Sequence, residues 1–183
     1  MPYLRLEAAA GLVKSGDVLC DVGSDHAYLP LMLIKNGVIE RAVACDVNAG
    51  PLERGRQHAA KQGVSSIEFV LSDGLGSVET PFDVAAICGM GGELIIRIIR
   101  EGGEKGKKRL ILQPMTGIEK VRAFLWQSGF AITDEVFPVE DGKAYCVIGA
   151  EFSGAVPDFS YADTYLGKIR PGGDGFTAWA KKI

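Results

Sequence analysis

Short apolar runs recur along the chain and alternate with stretches that have the spacing or composition of helices. The apolar runs are mostly β-branched and predict strands buried on both faces of a sheet: Val18–Val22, Ala42–Cys45, Ile67–Leu71, Val84–Cys88 and Leu110–Leu112. The stretches between them predict helices: Leu29–Lys35, Pro51–Gln62, Glu93–Arg100 and Ile118–Gln127. Strict alternation of strand and helix predicts an α/β fold with a doubly wound parallel sheet and right-handed crossovers.

The pattern changes after the last of these helices. Phe130–Pro138 and Lys143–Ala150 are both strand-like, and the short segment between them contains Asp141-Gly142, a dipeptide typical of tight hairpin turns. An antiparallel hairpin that closes a parallel sheet is typical of class I methyltransferases, whereas dinucleotide dehydrogenases usually keep the sheet parallel. We therefore expect a Rossmann-like class I methyltransferase fold, with a seven-stranded, mostly parallel sheet and a terminal antiparallel hairpin.

The two ends of the chain predict smaller elements. Leu4–Val13 has the pattern of an amphipathic helix that would cover the edge of the sheet. From Glu151 onward, glycine and proline interrupt the pattern, and one further helix is expected near Phe176–Lys182. The expected organisation is a ligand-binding domain at residues 1–150 and a short, basic C-terminal extension at residues 151–183.

Composition narrows the setting in which this fold would work. The net charge of −3 means that the molecule as a whole is not a polycation, so a nucleic-acid site would need a local basic patch. No signal peptide and no apolar stretch of about 20 residues is present, and we expect a cytoplasmic protein without a membrane segment. The four cysteines are far apart and lie within apolar runs, which favours buried thiols. No metal site is predicted.

The segment from Val18 to Pro30 predicts a strand, a glycine-containing turn and the start of a helix, a layout that brings the chain close to nucleotide-like ligands. Asp46, at the end of the next apolar run, is placed to accept both hydroxyl protons of a ribose. The turn lacks the second and third glycines of dinucleotide-binding loops and carries Asp25-His26 instead. Because a carboxylate repels a pyrophosphate but tolerates a cation, the sequence favours S-adenosylmethionine (SAM) over NAD.

The carboxyl ends of parallel strands meet at one edge of a sheet, so the residues that follow each strand should share a site there. These segments are rich in acids and glycines, and three glycines in the four residues 89–92 imply close approach of the backbone to a ligand. The predicted SAM-binding residues are Asp21, Gly23, Ser24, Asp46, Val47, Asp73, Gly74, Gly89 and Met90. For Asp73, the predicted role is to accept a hydrogen bond from the exocyclic amine of the cofactor's adenine.

Three neighbouring residues are the catalytic candidates. Asp25 and His26 lie where the transferable methyl group of SAM should project, and Tyr28 follows them as the aromatic residue at the start of the predicted helix. Each has a structural alternative: Asp25 as a helix cap, His26 as a surface residue and Tyr28 as part of the core. His58 is expected to be a solvated surface residue.

Several strings resemble one bacterial family closely. DVGSDHAYLP, CDVNAGP, SDGL, CGMGGELI, LILQP and EDGKAY are similar to motifs of the TrmK family of tRNA (adenine-N1)-methyltransferases. The resemblance runs from about Leu4 to about Ala150. It implies methyl transfer from SAM to N1 of adenine at position 22 in the D-arm of certain tRNAs. For this acceptor, Asp25 would stabilise the positive charge that develops on the methylated ring and could accept a hydrogen bond from the exocyclic amine. His26 would orient the base or relay a proton, and Tyr28 would stack on the base. The family continues into a helical, coiled-coil-like module that helps to hold tRNA, and this chain contains only the start of such a module.

Two further points follow from the resemblance. The family often has asparagine after LQP, where this chain has Met115. Phosphate contacts would come from local cations, and the candidates form two groups: Lys105, Lys107, Lys108 and Arg109, and Lys168, Arg170, Lys181 and Lys182. The alternatives left open are a small-molecule SAM-dependent methyltransferase, a non-catalytic SAM- or nucleotide-binding protein, and an NAD oxidoreductase. The oligomeric state is not predicted.

Overall fold

The computed structural model describes residues 4–168 and 174–181. These residues contain nine strands: β1 (Leu19–Val22), β2 (Ala42–Asp46), β3 (Ile67–Leu71), β4 (Val84–Gly91), β5 (Arg109–Thr116), β6 (Phe130–Val136), β7 (Val139–Glu140), β8 (Lys143–Ala144) and β9 (Val147–Phe152). The first six match predicted runs, β7 lies between two predicted runs, and the predicted run Lys143–Ala150 is divided into β8 and β9. Seven of them form one sheet in the order β3-β2-β1-β4-β5-β9-β6, and β7 and β8 form a separate two-stranded ribbon.

The main sheet is parallel from β3 to β5 and becomes antiparallel where β9 pairs with β5 and β6. The predicted hairpin is therefore confirmed. Its tip continues as the β7–β8 ribbon, in which Asp141 (φ 50°) and Gly142 (φ 73°) both adopt the left-handed conformation that a type I′ turn requires. The strand order reverses between β1 and β4, which places the expected ligand crevice beyond the carboxyl ends of these two central strands.

Helices cover both faces of the sheet. They are α1 (Leu4–Ala10), α2 (Tyr28–Lys35), α3 (Ala49–Lys61), α4 (Gly92–Glu101), α5 (Ile118–Gln127), α6 (Tyr161–Leu166) and α7 (Asp174–Ala180). Successive strand residues serve opposite faces: Leu19 packs with Leu29 and Leu33 of α2, whereas Cys20 packs with the cluster that includes residues of α4 and α5.

The structure differs from the sequence expectation in two places. The connection from β3 to β4, residues 72–83, contains no helix, so the strict strand–helix alternation is interrupted once within the described chain. Helix α1 packs against α2, β5 and β9, and it therefore lies on a face near the middle of the sheet and not at its edge. Ala9 is fully buried there, which explains why the helix docks by its small, apolar side.

The C-terminal segment packs onto the domain. Strand β9 continues to Phe152, Trp126 contacts Phe159, and Phe137 contacts Trp179. The buried guanidinium of Arg122 pairs with Glu135 at 2.7 Å and donates to the carbonyl of Thr164 at 2.9 Å in α6, so a charged pair inside the domain fixes the extension. No helix in residues 4–168 or 174–181 has the length and hydropathy needed to cross a bilayer.

Candidate active site

A cavity of about 330 Å³ opens at the carboxyl edge of the sheet, beside β1 and β4. Its size falls within the range of about 300–1,000 Å³ that is typical of small-molecule sites. The lining combines residues of α1, β1, the β1–α2 turn, α2, β4 and β5: Arg5, Leu6, Asp21, Gly23, Ser24, Asp25, Tyr28, Leu29, Cys88, Gly89 and Gln113. The crevice predicted from the strand order therefore exists.

The turn after β1 does not present its amide groups as an anion-binding nest. Gly23 adopts φ 75°, and the N–H groups of Gly23 and Ser24 both donate to the carbonyl of Cys45, at 2.8 and 3.0 Å. The N–H of Asp25 donates to the carbonyl of Gly23 at 3.1 Å. Because these donors are used inside the protein, the turn offers carboxylates to a ligand where a phosphate-binding loop offers N–H groups.

Asp21 supplies a buried negative charge at the base of the cavity. Its side chain is 7% exposed, and Ser24 Oγ donates to Asp21 Oδ2 at 2.5 Å. Burial raises the pKa of Asp21 from its usual value to about 6, although the hydrogen bond from Ser24 opposes the shift. A cationic ligand would stabilise the ionised form of this carboxylate, because its charge would replace the interactions with water that burial removes.

The catalytic candidates lie on a strained turn. His26 (φ 62°) and Ala27 (φ 53°) are both left-handed although neither is glycine, a combination that persists only where the surroundings impose it. Lys35 Nζ donates to Gln62 Oε1, so the Gln62 amide nitrogen donates to His58 Nε2. His58 Nδ1 therefore carries the proton and donates to the carbonyl of His26 at 2.8 Å. The expectation that His58 is merely solvated is wrong, because its ring is half-buried and supports the turn.

Asp25, His26 and Tyr28 come together at the mouth of the cavity. The rings of His26 and Tyr28 stack with centroids 5.3 Å apart and an interplanar angle of 27°. Tyr28 is 41% exposed, so it is not the core residue of the alternative interpretation. Asp25 Oδ1 accepts from Arg54 at 2.9 and 3.2 Å and lies 3.7 Å from His26 Nε2. Asp25 and Tyr28 line the cavity, whereas His26 lines an adjoining groove.

The glycine-rich end of β4 faces the first turn. Gly89 (φ 76°) has no atom within 4 Å of the position that a Cβ would occupy, so the cavity comes directly to its backbone. The methyl group of Met90 lies where a Cβ on Gly23 would be, which closes the gap between the two segments. Gly92 has a packing reason instead: its Cβ would lie 2.6 Å from the carbonyl oxygen of Gly117. Only part of this glycine run therefore serves the cavity.

The predicted residues after β2 and β3 lie at the same edge but outside the cavity lining. Asp46 Oδ1 accepts from the N–H of Asn48 at 2.7 Å, and Val47 is 60% exposed. Asp73 pairs with Arg97 at 2.8 and 3.1 Å, and the hydrogen bonds from this guanidinium lower the pKa of Asp73. Gly74 is buried, and a Cβ at this position would lie 3.1 Å from the side chain of Ile98 in α4.

We call residues 21–28 and 89–91, which end or follow the central strands β1 and β4, the inner segments. Residues 46–48 and 72–75, which follow or end β2 and β3, are the outer segments. The inner segments contact each other across the cavity mouth through Gly23 and Met90. The outer segments are tied to them by hydrogen bonds, since Cys45 bonds to Gly23 through its carbonyl and to Gly74 through its thiol.

Sequence reasoning missed the far wall of the cavity. Arg5 of α1 lines it and is held by Glu140, which accepts from the Arg5 backbone at 3.1 Å and from its side chain at 3.2 Å. The guanidinium also lies 4.7 Å from the centre of the Tyr145 ring and contacts the sulfur of Met115. No local pattern links Arg5 to the hairpin tip, because the contact spans most of the chain.

The predicted phosphate-binding lysines do not gather at the cavity. Lys105, Lys107 and Lys108 precede β5, so they lie toward the amino end of a strand whose carboxyl end faces the cavity. Lys105 is bound to the carbonyls of Leu75 and Gly76, and Lys107 to Glu104. Arg109 is largely buried and paired with Asp17. In the second group, Lys168 and Lys181 are described, and Arg170 and Lys182 lie outside the described residues.

Comparison with known sequences agrees with the methyltransferase fold. A family model described as a methyltransferase domain matches residues 3–148. Over 151 residues the chain is 39% identical to tRNA (adenine(22)-N(1))-methyltransferase of Bacillus subtilis. This match covers 80% of this chain and 63% of that enzyme. The chain thus spans less than two thirds of the length of this curated relative.

Solved structures show the same likeness. Streptococcus pneumoniae Sp1610, a candidate tRNA (m1A22) methyltransferase solved with S-adenosyl-L-methionine, is 37% identical with a TM-score of 0.85, over 92% of this chain and 80% of that chain. TrmK of M. capricolum, solved with S-adenosyl-homocysteine, is 28% identical with a TM-score of 0.81, over 90% of this chain and 74% of that chain. These matches confirm the resemblance to TrmK, and the chain belongs to the methyltransferase domain family.

Proposed function

We propose that this protein transfers a methyl group from SAM to N1 of an adenine in tRNA, at position 22 as its relatives' names indicate. The observation that carries the proposal is the acidic cavity at the topological switch point. There, Asp21 is buried at the base of the cavity, whereas Asp25 is exposed at its mouth beside Tyr28. We also propose a cytoplasmic location, because tRNA is found in that compartment.

The residues present fit SAM better than they fit a dinucleotide. Asp21 is suited to pair with the ammonium of the amino-acid part, and the open space beside Gly89 admits a ligand against the backbone. Asp46 is suited to the ribose, and Val47, Asp73 and Gly74 to the adenine, each from the outer segments. The amide groups of Gly23 and Ser24 donate to Cys45 and that of Asp25 donates to Gly23, so these three groups are not available to bind a pyrophosphate.

The acceptor side of the site suits ring N1 of adenine. N1 of neutral adenine already carries a lone pair, so attack needs alignment more than it needs a strong base. Bound SAM would supply the methyl group, whose bonding electrons return to sulfur as the N1–methyl bond forms. Asp25 then stabilises the positive charge on the methylated ring, and its carboxylate also accepts from the exocyclic amine.

The surrounding residues position the base. Tyr28 offers a half-exposed ring for stacking, and His26 supports that ring from behind at a centroid distance of 5.3 Å. Arg5 and Gln113 approach from the opposite wall, where Gln113 Oε1 accepts from the N–H of Gly89 at 3.1 Å. Residues 1–150 thus form the methyl-transfer domain in this proposal, and residues 151–183 the extension.

The direct test is incubation of the protein with labelled SAM and a tRNA transcript that carries adenine at position 22. We expect one methyl group per tRNA, recovered as 1-methyladenosine after nucleoside digestion. A matched transcript with guanine at position 22 is the control and should stay unlabelled. Label in both transcripts, or in neither, would contradict the proposed acceptor.

The cofactor is tested separately from the acceptor. We expect SAM and S-adenosylhomocysteine to raise the thermal unfolding midpoint, because a ligand that binds only the folded state stabilises it. NAD should have no such effect, since the first turn offers no site for its pyrophosphate. Stabilisation by NAD alone would overturn the cofactor assignment.

A further inference from the structure

A groove of about 320 Å³ lies beside the cavity and has no role in the methyl-transfer step proposed above. It is formed by the turn at His26 and Tyr28 and by one face of α3. The α3 residues follow the i, i+3, i+4, i+7 spacing of a single helical face: Arg54, Gln57, His58 and Lys61. We call this surface the α3 groove.

The α3 groove is continuous with the cavity. Tyr28 lines both spaces, and Arg54 in the groove donates to Asp25 in the cavity. A polymer whose target base enters the cavity would therefore pass over the groove with the neighbouring residues of the chain. A small-molecule substrate that fits within the cavity would not contact the α3 groove.

The chemistry of the α3 groove combines cations with stacked rings. Arg54 is 47% exposed in its side chain, and in residues 4–168 and 174–181 no carboxylate pairs with Lys61. Tyr28 and His26 form a stacked pair, and His58 meets the Tyr28 ring edge-on at 5.1 Å. Cationic side chains beside exposed rings are what single-stranded nucleic acids use, since phosphates need charge and bases need flat surfaces.

The floor of the groove is also fixed in place. The hydrogen-bonded series from Lys35 through Gln62 and His58 to the carbonyl of His26 joins α2 and α3 to the strained turn. A surface held in this way loses little conformational entropy when a ligand binds. This gives a structural role to His58, which lines the groove and is not part of the cavity lining.

We propose that the α3 groove binds the single-stranded RNA next to the target adenine. A base beside the target stacks on the Tyr28–His26 pair, and Arg54 and Lys61 contact the adjoining phosphates. The inference rests on the proposed function, because that function supplies the RNA and the extruded base. It adds the path of the RNA on this domain and assigns the basic face of α3 to it.

The test compares two exposed lysines with the same charge change. Lys61 lies in the α3 groove, and Lys108 lies just before β5, at the amino end of that strand. Binding of a tRNA transcript with adenine at position 22 is measured by fluorescence anisotropy, apart from methyl transfer. We expect Lys61→Glu to weaken tRNA binding about 10-fold and Lys61→Gln to reduce the slope of log affinity against log salt by about one.

The kinetic expectation is equally specific. Lys61→Glu should raise the KM for tRNA by a similar factor, with kcat and the affinity for SAM unchanged. Lys108→Glu and Lys108→Gln should leave all of these quantities, including the salt slope, at the wild-type values. Equal thermal unfolding midpoints for the four variants would show that the differences come from binding.

The outcomes separate the groove from the reaction. If tRNA is methylated but binding and KM are insensitive to Lys61→Glu, the α3 groove is not the RNA path. Equal weakening by Lys61→Glu and Lys108→Glu would show general charge attraction and would also overturn the inference. If Lys61→Glu alone weakens tRNA binding and the wild type forms no 1-methyladenosine, the groove stands and the proposed function falls.

Discussion

The inner and outer segments occupy the same edge of one sheet and were predicted by the same argument, yet they differ in what surrounds them. The inner segments meet across the cavity, where Asp21 and Asp25 face a common space. In the outer segments, Asp46 is bonded to the chain two residues on, and Asp73 is paired with Arg97. The difference lies in position: β1 and β4 flank the point where strand order reverses, and β2 and β3 lie to one side.

The comparison shows that a position directly after a strand places a residue at the carboxyl edge of the sheet. Whether its side chain faces the ligand depends on which other segment packs against it there. At the inner segments, the Met90 side chain lies against Gly23, and the backbone of Gly89 is open to the cavity. At Asp73 it is a helix side chain, Arg97, which donates to both carboxylate oxygens, whereas Arg54 donates twice to the same oxygen of Asp25, Oδ1.

The largest effect is expected at Asp25, the inner-segment carboxylate that would face the reacting ring. Asp25→Ala should lower kcat for tRNA methylation by about 100-fold, because it removes a charge that stabilises the cationic product. The affinity for SAM, measured by calorimetry, should stay within about twofold of wild type. Asp25→Asn is the matched control, since it keeps an acceptor for the amine and should retain more activity than alanine. Wild-type turnover in Asp25→Ala would remove this residue from the mechanism.

Asp21 tests whether a buried charge in the inner segments lowers the stability of the protein. Its folded-state pKa of about 6 lies above its unfolded value, so the wild type loses stability as pH rises from about 4 to about 6 and stays lower above that range. Asp21→Asn should therefore raise the free energy of unfolding at pH 8 by about 3 kcal/mol, the equivalent of about two pKa units, and change it little at pH 4. Denaturant titrations at both pH values measure this.

The same substitution should weaken SAM binding at pH 8, because the charge that costs stability would pair with the cofactor's ammonium. Conversely, wild-type affinity for SAM should rise as pH increases through about 6. A stability profile that does not depend on the Asp21 substitution would contradict the assignment of a buried, reluctantly ionised carboxyl group.

Gly23 tests the closeness of the two inner segments. Gly23→Ala should lower the free energy of unfolding by about 2 kcal/mol, because alanine is strained at φ 75° and its Cβ displaces the Met90 side chain. Gly16 is the matched control: it has φ 83° with open space around the Cβ position, so Gly16→Ala carries the backbone strain without the clash. Equal losses in the two variants, measured by denaturant unfolding, would show that Met90 moves away freely.

The smallest effects are expected in the outer segments. Asp46→Ala should weaken SAM binding about 10-fold, the value of one charge-assisted hydrogen bond to a ribose. Asp73→Ala should weaken it only about threefold, since its carboxylate leaves an ion pair with Arg97 to meet the adenine. Isothermal titration of both variants decides the order. A larger loss at Asp73 than at Asp46 would mean that the two outer segments have been ranked wrongly.

The α/β topology, the antiparallel end of the sheet and the acidic nature of the ligand edge follow from the sequence itself. They depend on backbone periodicity and turn chemistry, which neighbouring residues such as Asp141 and Gly142 fix locally. The motif strings identified the family, because they combine residues such as Gly23, Asp25 and Gly89 that are not needed to form any single strand or helix.

The tertiary structure alone decided which of these residues share a space. Arg5 reaches the cavity because Glu140 holds it across most of the chain, and Arg54 meets Asp25 because α3 packs beside α2. His58 changes from a surface residue into a support of the strained turn for the same reason. Such contacts join residues that are distant in sequence, so they depend on how whole elements pack and leave no trace in local pattern.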